Sequence, residues 1–296
     1  MDTTLSLAEA LSAAASRTDA ALASLLPEEG PVPKRLARAM RYAALGPGKR
    51  LRPFLVMESA FLFAVPDDRA LRVGAAIECV HAYSLAHDDL PAMDDDDLRR
   101  GRPTLHRAFD EATAILAGDA LLTLAFEIVT DTATHPDAGI RLALSRRLAE
   151  AAGAAGMVGG QALDIEAESK IISEVSEIIR IQGMKTGALF RFACEAGAIL
   201  GGGEPQPLHQ YAEHLGLAFQ ISDDLLDIEG TPTQLGKATQ KDRAKGKATF
   251  AGLLGIEGAR AELTRQVEAA VAALSSFGAR ARLLAEAARY VATRRS

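Results

Sequence analysis

The stretch Val80-His81-Ala82-Tyr83-Ser84-Leu85-Ala86-His87-Asp88-Asp89-Leu90-Pro91-Ala92-Met93-Asp94 runs an apolar helical segment straight into a cluster of carboxylates. Only His81 and Ser84 interrupt the apolar run from Val80 to Ala86, so the segment reads as a core helix with an acidic inner end. Asp88 and Asp94 are six residues apart, too far to share a face of a regular helix; Pro91 between them lacks a backbone donor and predicts a helix end there. A second stretch has the same build. Leu215 to Ile221, broken only by Gly216 and Gln220, leads into Asp223-Asp224-Leu225-Leu226-Asp227. Asp223 and Asp227 are one helical turn apart on one face. A lone Asp pair would read as solvated surface or a helix cap. Two such clusters at the ends of core helices imply cations between them, because clustered carboxylates repel. Magnesium, which takes a few carboxylates plus phosphate oxygens, implies a phosphorylated substrate.

The basic residues are grouped to match. Gly46-Pro47-Gly48-Lys49-Arg50-Leu51-Arg52-Pro53 is a Gly/Pro turn opening onto a helix, with Lys49 and Arg52 spaced i and i+3 to grip one diphosphate. Arg99 and Arg100 follow the first acidic cluster, so the same helix end is expected to present carboxylates and then guanidinium forks aimed in different directions. Lys185-Thr186, Lys237 and Lys247 are further candidates, each of which alone would read as solvated surface.

In these motifs the chain resembles the trans-prenyl diphosphate synthase family, most closely its bacterial farnesyl diphosphate synthases. The resemblance runs from Gly46 to Thr249 and includes His81 to Asp89, Asp94 to Gly101, Gly118-Asp119, Lys185-Thr186-Gly187 and Phe219-Gln220, all in family order. It implies head-to-tail condensation of isopentenyl diphosphate with dimethylallyl or geranyl diphosphate to farnesyl diphosphate. The alternatives are a geranylgeranyl diphosphate synthase and, less favoured, a class I terpene cyclase or a non-catalytic synthase subunit. The resemblance also implies several magnesium ions, with manganese as a substitute, held by Asp88, Asp94, Asp223 and Asp227. Arg99, Lys185 and Lys237 would contact the allylic diphosphate, while Lys247 stays a diphosphate-contact candidate on its residue type and position alone. Lys49, Arg52, His81 and Arg100 would hold isopentenyl diphosphate, and Thr186 and Gln220 would stand beside the reacting carbons. Tyr83, five residues before Asp88, would floor the channel for the growing chain, with the small Ser84 beside it. A homodimer is expected from the same resemblance.

Residues 1–296 read as one domain, since no polar linker divides the chain and motifs of one site occur in both halves. Hydrophobic residues make up 48%, with Ala and Leu at helical spacing, which predicts an all-α bundle without appreciable sheet. Amphipathic helices are predicted over 71–86, 112–130, 141–155, 171–200, 207–228 and 259–274. The family fold implied is a large helical bundle around a deep central cavity. A net charge of -6 with no tryptophan and no basic stripe argues against nucleic acid. Cys79 and Cys194 lie in apolar runs and read as reduced core residues, which with a non-hydrophobic N-terminus predicts a cytoplasmic protein without integral membrane association. His87 is read as packing, Gly201-Gly202-Gly203 as a connection, and Asp95, Asp96 and Asp97 as either solvated or metal-recruiting. The polar segment 230–247 is expected to close over the site, and Arg294-Arg295-Ser296 to fray.

Overall fold

The computed structural model describes residues 5–28, 30–168, 172–229 and 249–293, which form helices joined by short turns and one two-stranded hairpin. Helix α1 (Leu7–Leu25) opens on a capping box in which the Ser6 hydroxyl accepts from the Glu9 N–H and the Glu9 carboxylate accepts from the Ser6 N–H. Helices α2 (Lys34–Ala44) and α3 (Leu51–Leu62) flank the Gly/Pro turn, and α4 (Asp67–Asp88) carries the first acidic motif. Buried on nearly every side from Val73 to Val80, α4 is a central helix rather than a surface one.

Beyond the hairpin β1 (Leu98–Arg99) and β2 (Arg102–Pro103) come α5 (Leu105–Ala108), α6 (Glu111–Thr130), α7 (Ala138–Ala152) and α8 (Met157–Ala167). Then follow α9 (Val175–Gln182), a π-turn (Gly183–Gly187), α10 (Ala188–Gly201), α11 (Gln206–Glu229), α12 (Phe250–Ala273), a 3-10 turn (Ser275–Ala281) and α13 (Arg282–Thr293). One contiguous apolar core reaches from Ala10 on α1 to Val291 on α13. Helices α4 and α6 cross so closely that a Cβ on Gly118 would fall 2.2 Å from Nε2 of His87. His87 is thus a packing residue, its Nε2 3.0 Å from the Ile115 carbonyl. Cys79 and Cys194 are free and buried, and burial pushes both thiols up, Cys79 to about 12.

Two predicted boundaries are corrected. The helix predicted over 171–200 is α9, a π-turn and α10, because the turn adds a residue to the repeat where Lys185 and Thr186 stand. The helix predicted over 141–155 ends at Ala152, capped by Gly153. Among the described residues a small hairpin, β1 with β2, interrupts the helices. Helix α6 has the length and mean hydropathy (1.7) of a membrane span by composition, yet 44% of that window is buried within the protein.

Glu58 of α3 is pushed up to about 7 by burial first, with Asp67 adding to the rise and Arg282 opposing it. A carboxyl whose folded pKa is raised stabilises the fold fully below its ordinary range and loses that contribution as pH rises through the folded value. Glu58→Gln is therefore expected to change Tm little near pH 5 and to raise it by pH 8, by an amount equivalent to roughly 2–3 kcal/mol. Melting curves of the two proteins across that range check it. A Tm difference that does not grow with pH would show that Glu58 ionises without penalty.

Candidate active site

Helix α4 ends at Asp88, as Pro91 predicts, and Asp89 is its C-cap. The chain then folds back, with the Asp94 N–H donating to the Asp88 carbonyl at 2.8 Å and the Asp95 N–H to the Leu90 carbonyl at 3.2 Å. This loop returns Asp94 to the neighbourhood of Asp88, so the two carboxyls act on one another without sharing a helix. Burial is the main reason that Asp88 is pushed up to about 6; Lys185 draws it down and Asp94 raises it further. Asp89, buried, accepts from Arg99 at 2.6 and 2.7 Å and so holds that guanidinium.

Arg99 and Arg100 stand on the hairpin, which corrects their expected place on a helix end. Arg100 (φ 52) and Gly101 (φ 75) make its turn in left-handed conformations, the pattern of a tight hairpin. The two guanidiniums diverge as expected. Arg99 reaches Asp89, whereas Arg100 Nη1 donates to the Pro47 carbonyl at 2.6 Å and so meets the Gly/Pro turn. Asp97 pairs with Arg107 at 2.7 Å, Asp96 lies 3.9 Å from Arg99, and Asp95 is exposed in a left-handed turn.

Lys49 also differs from the expected helical i, i+3 pairing with Arg52, because α3 begins only at Leu51 and Lys49 precedes it. What fixes the turn is Arg50, a buried residue in left-handed conformation (φ 47). Its guanidinium donates to Asp19 at 2.8 Å, to Glu78 at 2.7 Å, and to the carbonyls of Ala44 and Gly46 at 2.9 and 2.7 Å. Arg52 stacks over the Phe190 ring at 5.2 Å, and its buried Nε has no hydrogen-bond partner among the described residues. His81 is held well below its ordinary pKa by burial and then by the charges of Arg52, Arg100 and Arg99. Guanidiniums gathered around a neutral imidazole in this way suit a polyanion such as diphosphate.

Lys185 and Thr186 stand on the π-turn, with Lys185 Nζ donating to Asp164 Oδ2 at 2.7 Å. Asp223 and Asp227 lie half-buried on α11, and the charge of Asp223 bears on Arg52. The middle aspartate works differently. Buried Asp224 accepts from the Phe250 N–H at 2.8 Å and from Gln220 Nε2 at 3.0 Å, tying α12 and Gln220 to α11. Tyr83 is buried and meets the His87 ring edge-on at 5.6 Å, while the Ser84 hydroxyl donates to the His81 carbonyl at 3.0 Å. Lys237, Lys247, the segment 230–247 and Arg294-Arg295-Ser296 lie outside the described residues.

Among the described residues no three His, Cys, Asp or Glu side chains converge tightly enough to form a metal cage. The donor set nonetheless fits magnesium. Asp88, Asp94, Asp223 and Asp227 offer hard oxygen donors, and burial penalises the Asp88 carboxylate, a cost that a bound cation would offset.

The polyprenyl synthetase family profile matches residues 33–285. The chain belongs to the polyprenyl synthetase family. Among its relatives, the farnesyl diphosphate synthase of Escherichia coli (strain K12) is 51% identical over 76% of this chain and 77% of its own length. That of Haemophilus influenzae is 47% identical over 88% and 89%. A Zymomonas mobilis crystal structure described as an FPP/GFPP synthase superposes with a TM-score of 0.89 at 49% identity, covering 96% of this chain and 98% of that one. In this polyprenyl synthetase the residues that sequence reading passed over are the ones that brace others: Arg50, Glu78, Asp89, Asp164 and Asp224. A charged residue set in an apolar helical run, as Glu78 is, was the available signal; its partner could not be read from spacing.

Proposed function

We propose that this chain is a farnesyl diphosphate synthase, joining isopentenyl diphosphate head-to-tail to dimethylallyl and then geranyl diphosphate. The observation that carries the reading is the meeting of the acidic loop Asp88–Asp94, with Lys185 and Arg99 beside it, and the guanidiniums of Arg52 and Arg100, whose charges, added to burial, hold His81 neutral. Asp88 at the end of α4 and Asp94 on the loop after it, with Asp223 and Asp227 from α11, would hold magnesium. When bound, the metal supplies charge stabilisation for the departing diphosphate. Arg99 and Lys185 bind the allylic diphosphate, and Lys237 joins them. Lys49, Arg52, His81 and Arg100 orient isopentenyl diphosphate so that its double bond meets the allylic carbon, and Lys247 supplies a further diphosphate contact. Thr186 and Gln220 flank the reacting carbons. Apolar walls exclude water, whose attack on the allylic cation is the competing reaction. The released diphosphate takes the proton lost from the condensed chain.

We read residues 1–296 as one domain, supported by the continuous core, and place the protein in the cytoplasm, supported by its two free buried thiols. A homodimer is part of the proposal. Ile115 and Leu116 are 44% and 59% exposed on α6, an apolar face that suits a second copy of this chain.

The test is product analysis with labelled isopentenyl diphosphate, geranyl diphosphate and magnesium. A fifteen-carbon diphosphate is expected. A twenty-carbon product would move the reading to a geranylgeranyl diphosphate synthase, and diphosphate release without condensation would overturn the reaction. Tyr83, buried one turn and more before Asp88, is taken as the channel floor with Ser84 beside it. Tyr83→Ala is then expected to shift product toward twenty carbons or longer, and unchanged chain length in that variant would place the floor elsewhere.

A further inference from the structure

Helix α8 contributes none of the ligands proposed above, yet it packs on the turn that carries one of them more tightly than any side chain permits. A Cβ on Gly160 would lie 2.1 Å from the Lys185 backbone nitrogen and 2.5 Å from its Cα, so only glycine lets α8 approach. One helical turn further along the same face, Asp164 Oδ2 accepts from Lys185 Nζ at 2.7 Å, with the two side chains only 10% and 25% exposed. From the other side α11 closes on the same turn, where a Cβ on Gly216 would meet Gly187 Cα at 3.3 Å.

The turn itself is π-helical from Gly183 to Gly187, a local widening that such helices show at functional sites. Lys185 is also the positive charge that bears most strongly on the Asp88 carboxyl. Its ammonium therefore stands where two carboxylates act on it, one on α8 and one at the end of α4. Lysine is a long side chain with a compact, freely rotating head, and without such a partner its ammonium would sample many positions.

We infer that Asp164 is a positioning residue that holds the Lys185 ammonium beside Asp88, pre-set to receive the allylic diphosphate. Asp164 touches no substrate in this scheme and acts through Lys185. The inference rests on the reading of Lys185 as an allylic-diphosphate ligand, and the experiment separates the two.

Asp164→Asn keeps the shape and removes the charge; Asp164→Ser is a second variant with the same expectation. Losing a charge-assisted hydrogen bond that orients Lys185 should raise the KM for geranyl diphosphate about tenfold. The dissociation constant of geranyl S-thiolodiphosphate with magnesium, an allylic probe that does not ionise, should rise by the same factor. The KM for isopentenyl diphosphate should stay within about twofold, a split that general loosening of the fold would not produce. In a Lys185→Ala background, Asp164→Asn should change probe binding by less than about twofold, because the group it orients is gone. An equal loss in both backgrounds, or equal rises in both substrate KM values, would overturn the inference. Wild-type probe binding by Lys185→Ala alone would overturn the reading of Lys185 and the inference with it.

Discussion

Asp88→Ala is expected to abolish most activity and at the same time to raise the melting temperature of the metal-free protein. The two effects share one cause. Asp88 sits in the last turn of α4, where the carbonyl end of the helix already carries partial negative charge, and burial pushes its carboxyl up to about 6. Holding it ionised at neutral pH costs roughly 2–3 kcal/mol, so a neutral residue there relieves the fold. For a chain of this size that corresponds to a gain of a few degrees in Tm. The same carboxylate is proposed to hold the metal that stabilises the departing diphosphate, a contribution of several kcal/mol that translates to about a thousandfold or more in kcat. Asp223→Ala should lose activity on a similar scale from the opposite helix. Circular dichroism melts in chelator, alongside steady-state rates, check the pair. An Asp88→Ala protein that keeps its rate would remove Asp88 from the metal site. One that melts lower would mean that Asp88 braces the fold. Function held against stability in this way is common at active sites.

The second large effect concerns Glu78. Arg50 and Glu78 are 3% and 4% exposed, and their 2.7 Å contact joins α4 to the turn that carries Lys49. Burial alone would lower the Arg50 guanidinium's pKa, but Glu78 and then Asp19 outweigh it. Removing one member of a buried ion pair strands the other charge at a cost of about 3–5 kcal/mol. Glu78→Ala is therefore expected to lower Tm by roughly ten degrees. Below that melt the variant should show a raised KM for isopentenyl diphosphate, because Arg50 also fastens the carbonyls of Ala44 and Gly46 and keeps its left-handed backbone only under those restraints. The KM for the allylic substrate should move less. A Glu78→Leu, Arg50→Met double variant strands no buried charge, since the Asp19 it unpairs is half-exposed, and should recover much of the stability but not the isopentenyl diphosphate KM. If Glu78→Ala melts like the parent, the pair is not what holds the turn.

Contrast between these two residues marks where sequence reading stops. Asp88 was legible because it closes an apolar helical run and because Pro91 forces the chain to turn after it. Glu78 lies earlier on that same helix with nothing in its spacing to name Arg50, which is 28 residues away, as its partner. The hairpin under Arg99 and Arg100 was missed for a related reason. Two-residue strands carry no periodicity, and the left-handed turn at Arg100 and Gly101 shows only in the backbone. The π-turn at Gly183–Gly187 was read through as helix because one extra residue in a ladder leaves the local apolar pattern nearly intact.

By itself, then, the chain's order of residues determined the helical class and the ends of the two acid-bearing helices, and it singled out the side chains proposed to meet diphosphate and metal. Those properties depend on periodicity, proline and charge, all local. Tertiary structure alone decided that Asp89 holds Arg99, that Asp224 ties α12 to α11, that Arg50 locks the Gly/Pro turn, and that α8 delivers Asp164 to Lys185. Each of these contacts joins separate elements of the fold. Their partners are selected by helix crossing, and at Gly160 by an approach that only a missing side chain allows.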